Sequence, residues 1–259
     1  MSPNWEALIF GDYKMVFPLT KISKKGQQQY FQPPFTREFE LAGGELSSTE
    51  LWEYLKQNFK FIQFRHYKAI SNFNIELRVH QFLKLSEKTQ ANYSTNAKRL
   101  IKKADKIYTY AVSDELNSFM ELIGNLLAPK IAEFTDRNLG KLRSLMLNAK
   151  AVNQGKLVGI YENDIFIGGG FFFFEEKRIT YLKGVATEEA KKNGAMFGLI
   201  NHVITKYSSE FDVLDFGGSN VENVAQFYRK FGAEDRTYYN YEINQLPGWY
   251  KLGKKILNK

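Results

Sequence analysis

Apolar and polar residues alternate over 6–10 and 13–20 on either side of Gly11-Asp12, which predicts a β-hairpin. The segment from Tyr30 to Phe35 holds Pro33-Pro34 and cannot continue as a central strand. Ser47 and Glu50 have the spacing of a capping box and open a helix that runs through Phe59. Strand-like runs follow at 60–67 and 73–79. Over 88–104 the apolar positions Tyr93, Ala97, Leu100, Ile101 and Ala104 fall at helical spacing. The other face of that helix and its exit carry Lys98, Arg99, Lys102, Lys103 and Lys106.

Beyond residue 105 the same reading predicts a strand at 106–112 and helices at 114–127 and 138–149. Strands at 154–162, 164–174 and 178–186 follow. The helix from Glu188 to Tyr207 has an apolar stripe of Met196, Leu199, Ile200, Val203, Ile204 and Tyr207. A strand at 211–216, a helix at 220–231 and a strand at 236–243 close the set. Three meandering strands and then a strand-helix-strand crossover predict an α/β fold of mixed type, its sheet covered by helices on both faces. Gly168-Gly169-Gly170 before Phe171–Phe174 marks a bulge or close packing, with the phenylalanines in the core.

At 259 residues the chain is long enough for two domains. They are divided here as 1–104 and 105–259. The chain has no cysteine, and its three histidines, His66, His80 and His202, lack metal-ligand spacing, so no metal is expected. A formal net charge of +8 favours acidic partners or serves solubility alone. No apolar run approaches the roughly 20 residues of a transmembrane helix. Residues Glu6 and Asp12 replace the basic start of a leader, so a cytoplasmic protein is expected. The basic amphipathic tail Trp249–Leu257 either grazes an anionic membrane surface or packs on the domain.

The most informative stretch is Phe211-Asp212-Val213-Leu214-Asp215-Phe216-Gly217-Gly218-Ser219-Asn220, followed by a helix ending Phe227-Tyr228-Arg229-Lys230-Phe231-Gly232. Ser219 and Glu222 form a capping box, and Gly232 supplies a left-handed stop. This unit resembles the last strand and helix of the GNAT acyltransferase superfamily. The Asp215–Ser219 turn is similar to that of the FemABX branch. So are Phe17-Pro18-Leu19-Thr20-Lys21, Tyr30–Phe35 and Tyr93-Ser94-Thr95-Asn96-Ala97-Lys98-Arg99. The resemblance covers nearly the whole chain. It implies two fused GNAT-like domains, each a mixed, largely antiparallel sheet with helices on both faces.

The resemblance also implies a site. Tyr228 matches the tyrosine that protonates the departing thiolate in GNAT enzymes, and a phenol near pKa 10 is matched to a thiol near 8–9. FemABX members tend to carry lysine at that position. The phosphate-binding motif [RQ]-x-x-G-x-[GA] corresponds to Lys191, Lys192, Asn193, Gly194 and Ala195, with Met196 at its small-residue position. These residues would hold acetyl-CoA or another acyl-CoA as donor. Tyr181 and Lys183 share one strand face by period 2, where they would contact substrate. Lys21 and Gln32 would stand on the acceptor side of the domain interface. Asp215, at the carboxyl end of its strand, would orient an acceptor amine or tie down the glycine turn.

The reading favoured is an acyltransferase that moves an acyl group to the amine of a small molecule or peptide. One alternative is a FemABX-like transferase that uses aminoacyl-tRNA and a peptidoglycan precursor. Another is a non-catalytic ligand-binding protein, for which Met196 in the phosphate loop speaks.

Overall fold

The computed structural model describes residues 5–24, 26–33, 35–36, 42–43, 49–67, 74–131, 134–217 and 221–250. The chain forms two units, one of residues 1–78 and 237–259, the other of residues 79–236. The boundary expected after residue 104 is therefore displaced. Ala97, Ile101 and Ala104 are buried in the core of the second unit, and the last strand returns Tyr241 to the core of the first.

In the first unit, β1 (Trp5–Phe10) and β2 (Met15–Lys24) form the expected hairpin, with Leu8 opposite Phe17. The β3 strand (Gln27–Phe31) ends before Pro33 and pairs parallel with β4 (Phe61–His66). The sheet order is β1-β2-β3-β4-β11, where β11 spans Glu234–Asn244. Helix α1 (Thr49–Asn58) lays Leu51, Trp52 and Leu55 onto one sheet face. There Trp52 and Tyr241 each stack on Phe64 with ring centroids 5.0 Å apart. Its expected cap, Ser47, lies outside the described residues, as does the tail beyond Tyr250. Tyr250 itself docks on the first unit, its hydroxyl accepting a hydrogen bond from Gln29 at 2.7 Å.

The second unit orders its strands β5-β10-β9-β8-β7-β6. These are β5 (Asn74–Lys84), β6 (Thr109–Ser113), β7 (Gly155–Glu162), β8 (Ile165–Glu175), β9 (Arg178–Ala186) and β10 (Val213–Asp215). Strands β7 to β9 form an antiparallel meander, β6 pairs antiparallel with β7, and β9 and β10 are parallel. Helices α3 (Leu116–Leu126) and α4 (Asp136–Ala151) bury Phe119, Ile123, Leu142 and Met146 with Leu157, Phe171 and Val185. A separate apolar cluster joins α2 (Thr95–Ala104), α6 (Ala195–Tyr207) and α7 (Glu222–Arg229) to Ile160, Phe172 and Ile179. The glycine run on β8 lets neighbouring strands close in, since a Cβ on Gly169 would lie 2.6 Å from the Val158 carbonyl oxygen.

Two helices expected to be continuous are broken. The 88–104 segment is a 3-10 turn at Thr89–Asn92, then an extended Tyr93-Ser94, then α2. The Ser94 hydroxyl caps α2 by accepting a hydrogen bond from the Ala97 amide. Ser94→Ala is expected to lower stability by about 1 kcal/mol, read by chemical denaturation. The 188–207 segment is α5 (Glu188–Lys192), a left-handed Gly194, then α6. The expected Ser219 cap lies outside the described residues, and Glu222 pairs instead with Arg229 at 3.0 Å.

Candidate active site

The β9 and β10 strands pair over only three positions, from Arg178 with Val213 to Thr180 with Asp215. Past Thr180, β9 continues to Ala186 while the other chain turns away at Phe216-Gly217. A cavity of about 500 Å³ opens where they part. Its described wall includes Tyr181, Lys183, Met196, Phe216, Phe227 and Tyr228, and among the described residues it contains no carboxylate or imidazole.

Tyr228 stands in this wall, 8% exposed, with its ring stacked on Phe216 at 4.4 Å and 17°. It meets Tyr181 edge-on at 6.3 Å. Of two adjacent aromatics on one helix, the more apolar is expected to take the buried place. The order here is the reverse, with Tyr228 buried and Phe227 half-buried. The flat stack on Phe216 claims Tyr228, while Phe227 packs edge-on against Phe197 at 4.7 Å. Burial first, and then Tyr228, hold the Tyr181 phenol well above the ordinary tyrosine range. Tyr181 is thus a poor acid to spend a proton.

Tyr181 and Lys183 do not share a face. The ladder between β8 and β9 slips here, with Phe172 opposite Tyr181 but Phe171 opposite Lys183, so Leu182 is a bulge residue. Tyr181 packs with the α6 cluster, while the Lys183 ammonium lies 4.7 Å from the Phe134 ring in the α3 and α4 cluster. The bulge also brings the Tyr181 hydroxyl onto Gly184, where any Cβ would collide with it. No pattern in β9 alone discloses the bulge, because it exists only relative to β8.

Asp215 is buried and does not line the cavity. One carboxylate oxygen accepts from the Gly217 amide at 3.0 Å, and Arg178 approaches the other at 3.5 Å. His80 Nδ1 lies 4.0 Å away, a neighbour that sequence reading does not associate with this turn. Of its two expected roles, Asp215 is placed for tying down the turn.

The proposed phosphate loop lies at the start of α6. Lys191 lines the cavity and pairs with Glu188 at 3.3 Å, and Lys192 is exposed. Asn193 accepts from Lys103 at 2.8 Å and donates to the Tyr108 hydroxyl at 3.3 Å. Gly194 has φ 88°, and a Cβ there would lie 2.7 Å from the Leu100 carbonyl oxygen, so its close approach is to α2. The amides of Ala195 and Met196 sit in the first turn of α6, where no intrahelical acceptor exists. With Lys191 beside them they suit an anionic group. Met196 occupies part of the cavity wall where a smaller residue was expected.

Lys21 and Gln32 belong to the first unit and are not among the residues lining this cavity. Lys21 pairs with Glu6 at 2.6 Å. Gln32 donates to the Thr36 carbonyl at 3.0 Å, leaving its buried side-chain oxygen without a partner among the described residues. No group of acidic and histidine side chains suited to a metal occurs among the described residues. Nor is any described helix long and apolar enough to cross a membrane.

No protein-family model matches the chain, and no curated protein is similar to it in sequence. Solved structures do match in shape. The crystal structure of FemX aligns with 96% of this chain and 90% of its own, at 14% identity and a TM-score of 0.66. L-PGS from Bacillus licheniformis aligns over 93% of this chain and 84% of its own, at 11% identity and a TM-score of 0.58. A tandem GNAT protein from the clavulanic acid biosynthesis pathway aligns over 96% and 86%, at 10% identity and a TM-score of 0.51. Likeness at such identities is likeness of architecture, and the chain has the GNAT-like fold that these proteins share.

Proposed function

We propose that the chain is an acyltransferase that moves an acyl group onto an amine, with the acyl group held between β9 and β10. The observation carrying this is the parting of those strands beside Tyr228, stacked on Phe216 in the cavity wall. In the transfer, the amine nitrogen forms a bond to the acyl carbon and the bond from that carbon to the leaving group breaks. The leaving group takes a proton from the Tyr228 hydroxyl, and the proton that the nitrogen gives up passes through water to restore Tyr228.

Lys191, Lys192 and the first amides of α6 would hold the phosphates of an acyl-CoA donor, which when bound supplies the activated acyl group. Met196, Phe197 and Phe227 favour an apolar acyl chain over a charged one. On this reading Tyr181 and Lys183 shape the acyl site, Asp215 positions the turn, and Lys21 and Gln32 serve the acceptor. The free side-chain oxygen of Gln32 suits an acceptor N–H.

A second reading, transfer from aminoacyl-tRNA, is supported by the overlap with FemX along almost the full chain. Thermal stability with acetyl-CoA, longer acyl-CoAs and bulk aminoacyl-tRNA separates the two. The donor that is used, at about 100 times its Kd, should add roughly 2.7 kcal/mol. Product formation on a panel of amines should follow the same donor. Stabilisation by aminoacyl-tRNA alone would select the second reading, and stabilisation by a thioester without turnover would select the non-catalytic one.

A further inference from the structure

The second unit carries another cavity, of about 550 Å³, with Lys98, Lys102 and Lys106 in its wall together with Tyr93, Asp105 and Asn201. The lysines recur every fourth residue along α2 and its exit, so like charges stand on one stripe, an arrangement that weakens a helix. The helix dipole accounts for a cation in the last turn, as at Lys102, but disfavours one in the first turn, where Lys98 stands. Lys103 and Arg99 are engaged elsewhere, by Asn193 and Asn96. The Lys98 ammonium donates to the Ala91 carbonyl at 3.3 Å, whereas among the described residues the Lys102 and Lys106 side chains have no hydrogen-bonding or ion-pair partner. Asp105 makes no ion pair with them, and burial holds its carboxyl above the ordinary range.

Two further groups point to a ligand. Tyr93 is 6% exposed, and its buried hydroxyl has no partner among the described residues. A buried hydroxyl without a hydrogen bond is costly, and an entering oxygen would relieve it. Asn201 accepts from Gln90 at 3.1 Å, which leaves its own amide N–H groups for a guest. The volume suits a small molecule of nucleotide size. We propose that this cavity binds a small phosphate ester, its phosphate held by Lys98, Lys102 and Lys106 and its remainder hydrogen-bonded by Asn201. The site is distinct from the cavity between β9 and β10, with which it shares no lining residue.

The test is titration of the full chain with pyrophosphate and with ADP, followed by backbone amide chemical shifts. Saturable shifts are expected at Gln90, Tyr93, Asn201 and residues 98–106. The double substitution K102E/K106E should weaken binding about ten- to thirtyfold, since each change replaces an attraction with a repulsion. K24E/K60E makes the same change of charge at two exposed lysines and should leave binding within about twofold. Unchanged thermal midpoints show that the variants remain folded. The proposal fails if neither probe saturates, if the shifts map only to residues 181–197, or if both double variants lose affinity equally. Saturation of these lysines by a single-stranded RNA oligomer but by neither small probe would also overturn it.

Discussion

Tyr228→Phe is expected to lower turnover with a thioester donor about 10²–10⁴-fold, the usual contribution of one positioned acid. The ring stays, so its stack on Phe216 and its edge contact with Tyr181 survive the change. Loss of one hydroxyl should cost no more than about 1.5 kcal/mol of stability, measured by chemical denaturation. Tyr181 should not substitute, because burial keeps its phenol too weak an acid. The deficit should also depend on the leaving group. A thioester of a more acidic thiol needs less protonation as it departs, so the gap between the two enzymes should narrow. A deficit of the same size with every leaving group would mean that the hydroxyl only positions its neighbours. Equal rates would mean that Tyr228 is a core residue and would favour a non-catalytic protein.

The meander β7 to β9, the stripe on α6 and the parallel return through β10 were legible in the sequence because they are local. Apolar period, turn residues and chain order carry that information. Three features were not legible, each because it depends on something distant along the chain. Residues 88–104 look like one helix, since Tyr93 and Ala97 keep helical spacing, yet Ser94 serves better as a cap than inside a helix. The bulge at Leu182 arises from pairing with β8 and reverses the face of Lys183. The division into units follows the return of β11, which carries Tyr241 to Phe64 far away in sequence. At the site, the strand, glycine turn and helix that carry Phe227 and Tyr228 could be foreseen. The choice between Phe227 and Tyr228 could not, because Phe216 makes it from another element.

Gly194→Ala is expected to destabilise the second unit strongly. Alanine must adopt φ 88°, and its Cβ would stand 2.7 Å from the Leu100 carbonyl oxygen, a backbone atom that cannot swing aside. Left-handed strain costs about 1–2 kcal/mol and overpacking about 1–3 kcal/mol. Together they amount to roughly 2–5 kcal/mol, which for a chain of this size lowers the melting midpoint by about 4–20 °C. Gly140 on α4 is the matched contrast, since a Cβ there meets nothing within 4 Å. Gly140→Ala should instead stabilise, by about 0.5–1 kcal/mol, through better helix propensity. The pair decides what Gly194 is for. If it were kept for a ligand's close approach, Gly194→Ala would spare the ligand-free midpoint and abolish only donor binding. Packing of α6 against α2 instead requires the midpoint to fall with no ligand present, and donor affinity to fall only because Lys191 and the first amides of α6 have moved with the loop.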